Sequence, residues 1–142
     1  KDDLVFACFQ RSFATFERAQ RRAIVAQGSF AKRLGCAIAT LLDIQFSDRG
    51  PLLRTTALQA LPAEFRERVI DRSNRIARRF AGMIIDGISE GSIRAVDPLI
   101  ASQALMAMLN SAYELRRWAS EDDPEASMID YASTLTCGLF DD

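Results

Sequence analysis

The sequence predicts an all-α domain of six helices, and three observations lead to this fold class. Apolar residues recur at steps of three and four along nearly the whole chain, and no segment shows the alternation expected of a strand. Glycine and proline stand between the periodic segments, where helices end and begin. The connections are short, so the 142 residues are expected to form one domain.

Each predicted helix is bounded by residues that favour helix ends. Ser29, Asp97 and Asp123 are predicted N-caps, because their side chains accept hydrogen bonds from the free N–H groups of a first turn. Gly28 and Gly91 are predicted to end the helices before them. The six helices are therefore predicted over residues 3–27, 30–46, 51–60, 62–90, 98–119 and 124–140.

The composition argues against several classes of function. The chain has no histidine, which removes the commonest general base and metal ligand. Its 18 basic and 19 acidic residues give a net charge of −1, which attracts neither nucleic acid nor an anionic membrane. Three widely spaced cysteines are an odd number, as in a reduced, cytoplasmic protein. We predict no catalytic residues, no cofactor, no metal site and no membrane span.

The first predicted helix carries four phenylalanines on one stripe. Phe6, Phe9, Phe13 and Phe16 follow one another at steps of three, four and three, which places their rings on the same face. They either pack in a core or line a cavity for an apolar ligand. Gln20 falls in the same stripe, and a buried amide needs hydrogen-bond partners. Gln20 is therefore expected to reach solvent or to orient a ligand.

A pocket inside the subunit is predicted between the first, second, fourth and fifth helices. Its occupant is expected to be a small hydrophobic or amphipathic compound, because few polar residues face this interior. The candidate ligand-binding residues are Phe9, Phe13, Phe16, Gln20, Ile38, Leu42, Phe80, Met83, Met106, Asn110 and Tyr113.

The fifth predicted helix is apolar around most of its circumference. One core requires an apolar sector of only about 100°, so this helix is either buried centrally or covered on two sides. We predict that it and the last helix form a four-helix bundle with a second copy of the chain. The candidate interface residues are Ala101, Ala104, Leu105, Met108, Ala112, Leu115, Ala119, Met128, Ile129, Ala132, Leu135 and Leu139.

Two segments resemble the regulatory half of TetR-type transcriptional regulators. Residues 89–118, SEGSIRAVDPLIASQALMAMLNSAYELRRW, resemble the stretch that joins the long helix of those proteins to their first dimerisation helix. Residues 124–140, PEASMIDYASTLTCGLF, are similar to the family's closing helix. The order and lengths of the six helices also match, so the resemblance covers residues 1–142.

The resemblance implies a ligand-sensing and dimerisation domain that belongs to a DNA-binding regulator, most often a repressor. Residues 1–4, KDDL, resemble the end of the phrase that closes the family's helix-turn-helix domain. A DNA-reading domain is therefore expected before Lys1, and operator DNA is expected to bind through it. The alternative, from another class, is a dimeric helical adaptor that binds a protein partner and has no small-molecule pocket.

Overall fold

The computed structural model describes residues 1–47, 55–115 and 123–137, and all regular secondary structure in these ranges is helical. The predicted all-α fold is therefore confirmed. The α-helices are α1 (Asp2–Val25), α2 (Phe30–Phe46), α3 (Ala63–Glu90), α4 (Pro98–Leu115) and α5 (Pro124–Cys137). Residues 116–119 and 138–140, predicted to continue the last two helices, lie outside the described ranges.

The third predicted helix has a different type and length in the structure. We expected an α-helix over residues 51–60, whereas the structure has a 3-10 helix at Thr55–Ala60, and residues 51–54 are not among those described. The described part of the chain thus has five α-helices and this one short 3-10 segment, not six α-helices. The physical reason is cooperativity: a run of six residues, about two 3-10 turns, gains too few hydrogen bonds to offset α-helix nucleation.

Three helix starts and the end of α3 lie where the sequence predicted them, whereas α1 ends at Val25, with Ala26 as its C-cap, and not at Gly28. The Ser29 hydroxyl and the Asp97 and Asp123 carboxylates each accept a backbone N–H from the first turn of the following helix, at 3.3, 2.9 and 2.9 Å. Gly91 ends α3 in the left-handed conformation, with φ of 82°. These contacts are local in sequence, which is why spacing alone revealed them.

Helices α2 and α3 together form the centre of the domain. Helix α3 packs against α1, α2 and α4, while α2 packs against all four other α-helices. Helices α1 and α3 run parallel, because Phe6 stacks on Phe65 near their starts and Gln20 reaches the Ile76 carbonyl further along both. The N-terminal ends of α1 and α3 therefore lie at the same end of the domain.

A polar joint connects the end of α3 to the start of α2. The Glu90 carboxylate accepts the Phe30 N–H, and the Ser92 hydroxyl accepts the Ala31 N–H at 3.2 Å. Ser92 also donates to Glu90 at 2.5 Å. These hydrogen bonds, from Ser92 first and from Phe30 second, hold the pKa of Glu90 below its ordinary value. The joint satisfies two N–H groups that α2 cannot satisfy by itself.

Candidate functional site

The phenylalanine stripe of α1 faces the interior of the subunit. Phe9, Phe13 and Phe16 are 3%, 8% and 3% exposed, and all three belong to the main hydrophobic cluster. Phe6 is only half-buried, and its ring stacks on that of Phe65 with 4.7 Å between centroids. The stripe therefore forms one wall of the core, with its first ring at the rim.

Most of the predicted ligand-binding residues come together in that cluster. Four helices contribute to it, and its members contact one another across the middle of the domain. Asn110 and Tyr113 differ from the others because they are only half-buried. The predicted residues that are buried in the cluster with the three phenylalanines are Ile38, Leu42, Phe80, Met83 and Met106.

Gln20 is fully buried and only half satisfied. Its Nε2 donates to the backbone carbonyl of Ile76 at 2.8 Å, which links α1 to α3. Its Oε1 has no hydrogen-bond partner. Leaving a buried acceptor unmatched costs about 1–3 kcal/mol, so this atom is a candidate hydrogen-bond acceptor for a bound ligand.

Two further buried polar residues were not among our predictions. Gln45 is fully buried, and its Nε2 donates to the Leu109 carbonyl at 2.9 Å, linking α2 to α4. Ser102 bonds locally to the Leu99 carbonyl at 2.9 Å. Helical spacing could have predicted the burial of Gln45, since it lies four residues after Leu41 on the buried face of α2.

Arg72 connects α3 to α1 at the edge of the phenylalanine stripe. Its Nε and Nη2 donate to the two carboxylate oxygens of Glu17 at 3.0 and 3.1 Å, and its Nη1 donates to Gln10. The guanidinium also lies 5.7 Å from the centre of the Phe13 ring. The hydrogen bonds from Arg72 hold the pKa of Glu17 below its ordinary value, against the opposing effect of burial.

A polar cleft of about 350 Å³ lies beside Arg72, between α1 and α3. It is open to solvent, and none of the predicted ligand-binding residues lines it. The residues that line it are Gln10, Arg68, Asp71, Arg72 and Arg75. Its charged walls make it a different environment from the apolar interior.

The predicted interface residues of α4 fall on two sides of the helix. Leu105 and Ala112, 6% and 0% exposed, are covered by the subunit's own core. Ala104 is exposed, while Ala101 and Met108 are intermediate. The outward stripe of α4 consists of Ile100, Ala104, Ala107 and Ser111, which follow at steps of four, three and four. The part of α4 that its own subunit leaves uncovered is therefore this stripe, with Leu99 and Gln103 beside it.

Helix α5 is also divided between core and surface. Met128, Ala132 and Leu135 are partly buried against the main cluster, whereas Ile129 is 57% exposed. The half-buried Tyr131 donates from its hydroxyl to the Met108 carbonyl, which fastens α5 to α4. The predicted positions Leu115, Ala119 and Leu139 have side chains outside the described part of the structure.

Two other kinds of site have no candidate in the ranges that the structure describes. No three potential metal-ligating side chains come together there. Among the described helices, none is long and apolar enough to cross a membrane.

The structure is thus an all-α domain whose apolar core includes four phenylalanines and whose helix α4 carries an exposed stripe of mostly small residues. The family model for the tetracyclin repressor-like C-terminal domain matches residues 27–122, more than half of the chain, and the chain therefore belongs to this family. The predicted resemblance is confirmed over these residues. No curated protein matches the sequence significantly. Domains of this family belong to transcription regulators, not to enzymes.

Proposed function

We propose that this chain is the effector-sensing and dimerisation domain of a TetR-like transcriptional repressor, whose DNA-reading domain precedes Lys1. The observation that supports this most strongly is the family membership over residues 27–122. The regulator acts in the cytoplasm, where its effector is a small hydrophobic or amphipathic molecule. Binding of the effector inside the subunit releases the regulator from operator DNA.

The apolar interior is the proposed effector site. Three phenylalanine rings of α1 share one cluster with Phe80 and Met83 of α3, which supplies aromatic and adaptable apolar surface. Gln20 adds a buried acceptor at the same boundary between α1 and α3. Such a site suits a ligand that buries mostly carbon and makes few hydrogen bonds.

The proposed homodimer uses the outward stripe of α4 together with α5. Alanine and serine along Ile100, Ala104, Ala107 and Ser111 allow two helices to approach closely. Ile100, 70% exposed, and Ile129, 57% exposed, are large apolar side chains that a partner would remove from water. Two helices from each subunit would then form a four-helix bundle.

Helix α1 is the proposed mechanical link between effector and DNA. Its phenylalanines form a wall of the interior, and its N-terminal end would continue into the DNA-reading domain. A ligand bound against Phe13 or Phe16 would tilt or shift α1 and change the separation of the two DNA-reading domains in the dimer. Operator half-sites lie about one DNA turn apart, so a shift of a few ångströms would prevent both DNA-reading domains from binding at once.

The proposal is tested on the full-length regulator. Operator affinity is titrated with and without a ligand found by thermal-shift screening, and ligand affinity with and without operator. A coupling of about 1–3 kcal/mol would lower operator affinity roughly 5- to 150-fold, and reciprocity requires the same factor in both titrations. Affinities that do not change in either titration would contradict the proposed regulation.

A dimeric helical adaptor is the second candidate, and the complete burial of three core leucines favours it. Leu41, Leu42 and Leu109 are 0% exposed. An adaptor would keep this interior filled and bind no small molecule. A broad screen of hydrophobic and aromatic metabolites in which none raises the melting temperature would favour the adaptor over the sensor.

A further inference from the structure

The free acceptor of Gln20 restricts the chemistry of the effector. Of the buried side-chain nitrogen and oxygen atoms in the described residues, Oε1 of Gln20 is the one without a hydrogen-bond partner. The orientation of the amide is defined, because the opposite atom must be the nitrogen that donates to the Ile76 carbonyl at 2.8 Å. What remains is an acceptor, and only a hydrogen-bond donor can satisfy it.

A trapped water is a poor match for this position. A buried water typically makes about three hydrogen bonds to otherwise unsatisfied groups. Among the described residues, no second buried side-chain atom lacks a partner. A water at Oε1 would therefore find no second unsatisfied side-chain atom among the described residues, whereas an apolar molecule with a single donor group would also contact the apolar residues of the main cluster.

The surroundings also disfavour a charged ligand. The buried polar side chains in the described part of the chain are Gln20, Gln45 and Ser102, and none of them is ionisable. A carboxylate placed at Oε1 would meet two amide oxygens, and the Arg72 guanidinium at the border of the site is already paired with Glu17. Burying an unpaired charge is strongly unfavourable.

We propose that Gln20 Oε1 orients the effector, and that the effector is a neutral, largely apolar molecule carrying one hydroxyl or N–H donor. This inference rests on the proposed effector site between α1 and α3. The inference goes further because it predicts relative affinities. A compound with a hydrogen-bond donor should bind more tightly than one of the same shape without a donor, and a neutral compound more tightly than an anion.

The test compares three probes of one shape: 2-naphthol, 2-methylnaphthalene and 2-naphthoate. Binding to the chain is measured by calorimetry at neutral pH. We expect 2-naphthol to bind at least tenfold more tightly than 2-methylnaphthalene, although the methyl compound is the more hydrophobic, and 2-naphthoate to bind most weakly. A tenfold ratio corresponds to about 1.4 kcal/mol, the size of one good hydrogen bond in a buried site.

Two variants assign the ratio to one atom. Gln20→Met keeps the length of the side chain and removes the acceptor, so the preference for 2-naphthol should disappear. Gln45→Met is the matched control, because it removes the other buried glutamine and should keep the preference. Circular dichroism checks that each variant is folded. If Gln20→Met does not fold, the affinity ratio of 2-naphthol to 2-methylnaphthalene for the unmodified chain decides whether the effector needs a donor.

The outcomes separate the inference from the proposed function. Equal binding of 2-naphthol and 2-methylnaphthalene, or a preference that persists in Gln20→Met, would overturn the role of Oε1 and leave the sensor intact. Failure of all three probes to bind would overturn the inference as stated. The proposed function would fall only if the broad metabolite screen also produced no stabilising compound.

Discussion

At the scale of single residues, Arg72 is one of the side chains through which α3 holds α1. It donates to both oxygens of Glu17 and to Gln10, and its guanidinium lies over the Phe13 ring. A bidentate pair is stronger and more directional than a single ion contact. Because Phe13 is a candidate ligand contact, the same cluster that fixes α1 also borders the proposed effector site.

Glu17→Gln should lower the free energy of unfolding by about 1 kcal/mol at pH 7, because a neutral amide replaces the charged partner of Arg72. The pKa of Glu17 is depressed below its ordinary 4.5 in the folded state. Its contribution is therefore fully present above about pH 4.5 and is lost as the pH falls through the lower, folded value. Urea unfolding of both proteins between pH 7 and pH 3 measures this.

The control is Glu67→Gln, which removes an exposed carboxylate of α3 that makes no ion pair within the described ranges. Its effect on stability should be smaller than that of Glu17→Gln at pH 7. A Glu17→Gln difference that stays the same from pH 7 to pH 3 would contradict the assigned linkage.

At the scale of elements, the long helix α3 contains two glycines with opposite surroundings. A Cβ at Gly87 would lie 2.4 Å from Cδ1 and 2.7 Å from Cγ1 of Ile93, whereas a Cβ at Gly82 would meet nothing within 4 Å. The loop after α3 folds back here, since the Ile93 N–H donates to the Gly87 carbonyl at 3.0 Å. Gly87 is thus needed for a close approach, and Gly82 is not.

Gly82→Ala should raise the free energy of unfolding by about 0.5–1 kcal/mol, because alanine is the better helix former and no contact opposes it. Gly87→Ala gains the same propensity, but overpacking against Ile93 typically costs about 1–3 kcal/mol. We expect a net loss of about 1 kcal/mol. Chemical denaturation of the two variants gives both values.

Adding Ile93→Ala to Gly87→Ala tests the cause. If the clash is with Ile93, the double variant should be more stable than the sum of the two single changes predicts. Strict additivity would show that the loss at Gly87 has another origin.

At the scale of the whole molecule, the dimer prediction depends on which side of α4 faces outward. Ala112 is 0% exposed within its own subunit, so a charge there would unfold the chain and reveal nothing about association. Ala104 is exposed on the outward stripe, and a charge at this position would be tolerated by a monomer. Ala104, and not Ala112, is therefore the position at which an added charge tests dimer formation.

Ala104→Glu should raise the dissociation constant of the dimer at least tenfold, because a carboxylate would be buried between two helices without a partner. Sedimentation at micromolar concentration measures the shift from dimer to monomer mass. Ala7→Glu is the matched control, since Ala7 is an exposed alanine on α1, away from α4. A monomer mass for the unmodified chain, or equal masses for both variants, would contradict the proposed interface.

The sequence by itself determined the fold class, most helix limits and the three N-caps. These follow from periodicity and from side chains a few residues from the groups they satisfy, so they need no knowledge of the fold. It also placed Phe9, Phe13 and Phe16 on one face, which the structure buries. The short segment at Thr55–Ala60 was predicted as an α-helix and is a 3-10 helix, because local preference in so short a run does not decide between the two.

Only the tertiary structure decided which residues meet across the domain. Arg72 and Glu17 are 55 positions apart, and Gln20 and Ile76 are 56 positions apart, so no local pattern pairs them. Helix α4 is apolar on opposite sides, so its composition could not decide which side faces the core. In the structure Leu105 and Ala112 face the core, and Ala104 faces outward. The physical reason is that burial and hydrogen-bond satisfaction depend on how helices pack, whereas periodicity describes one helix at a time.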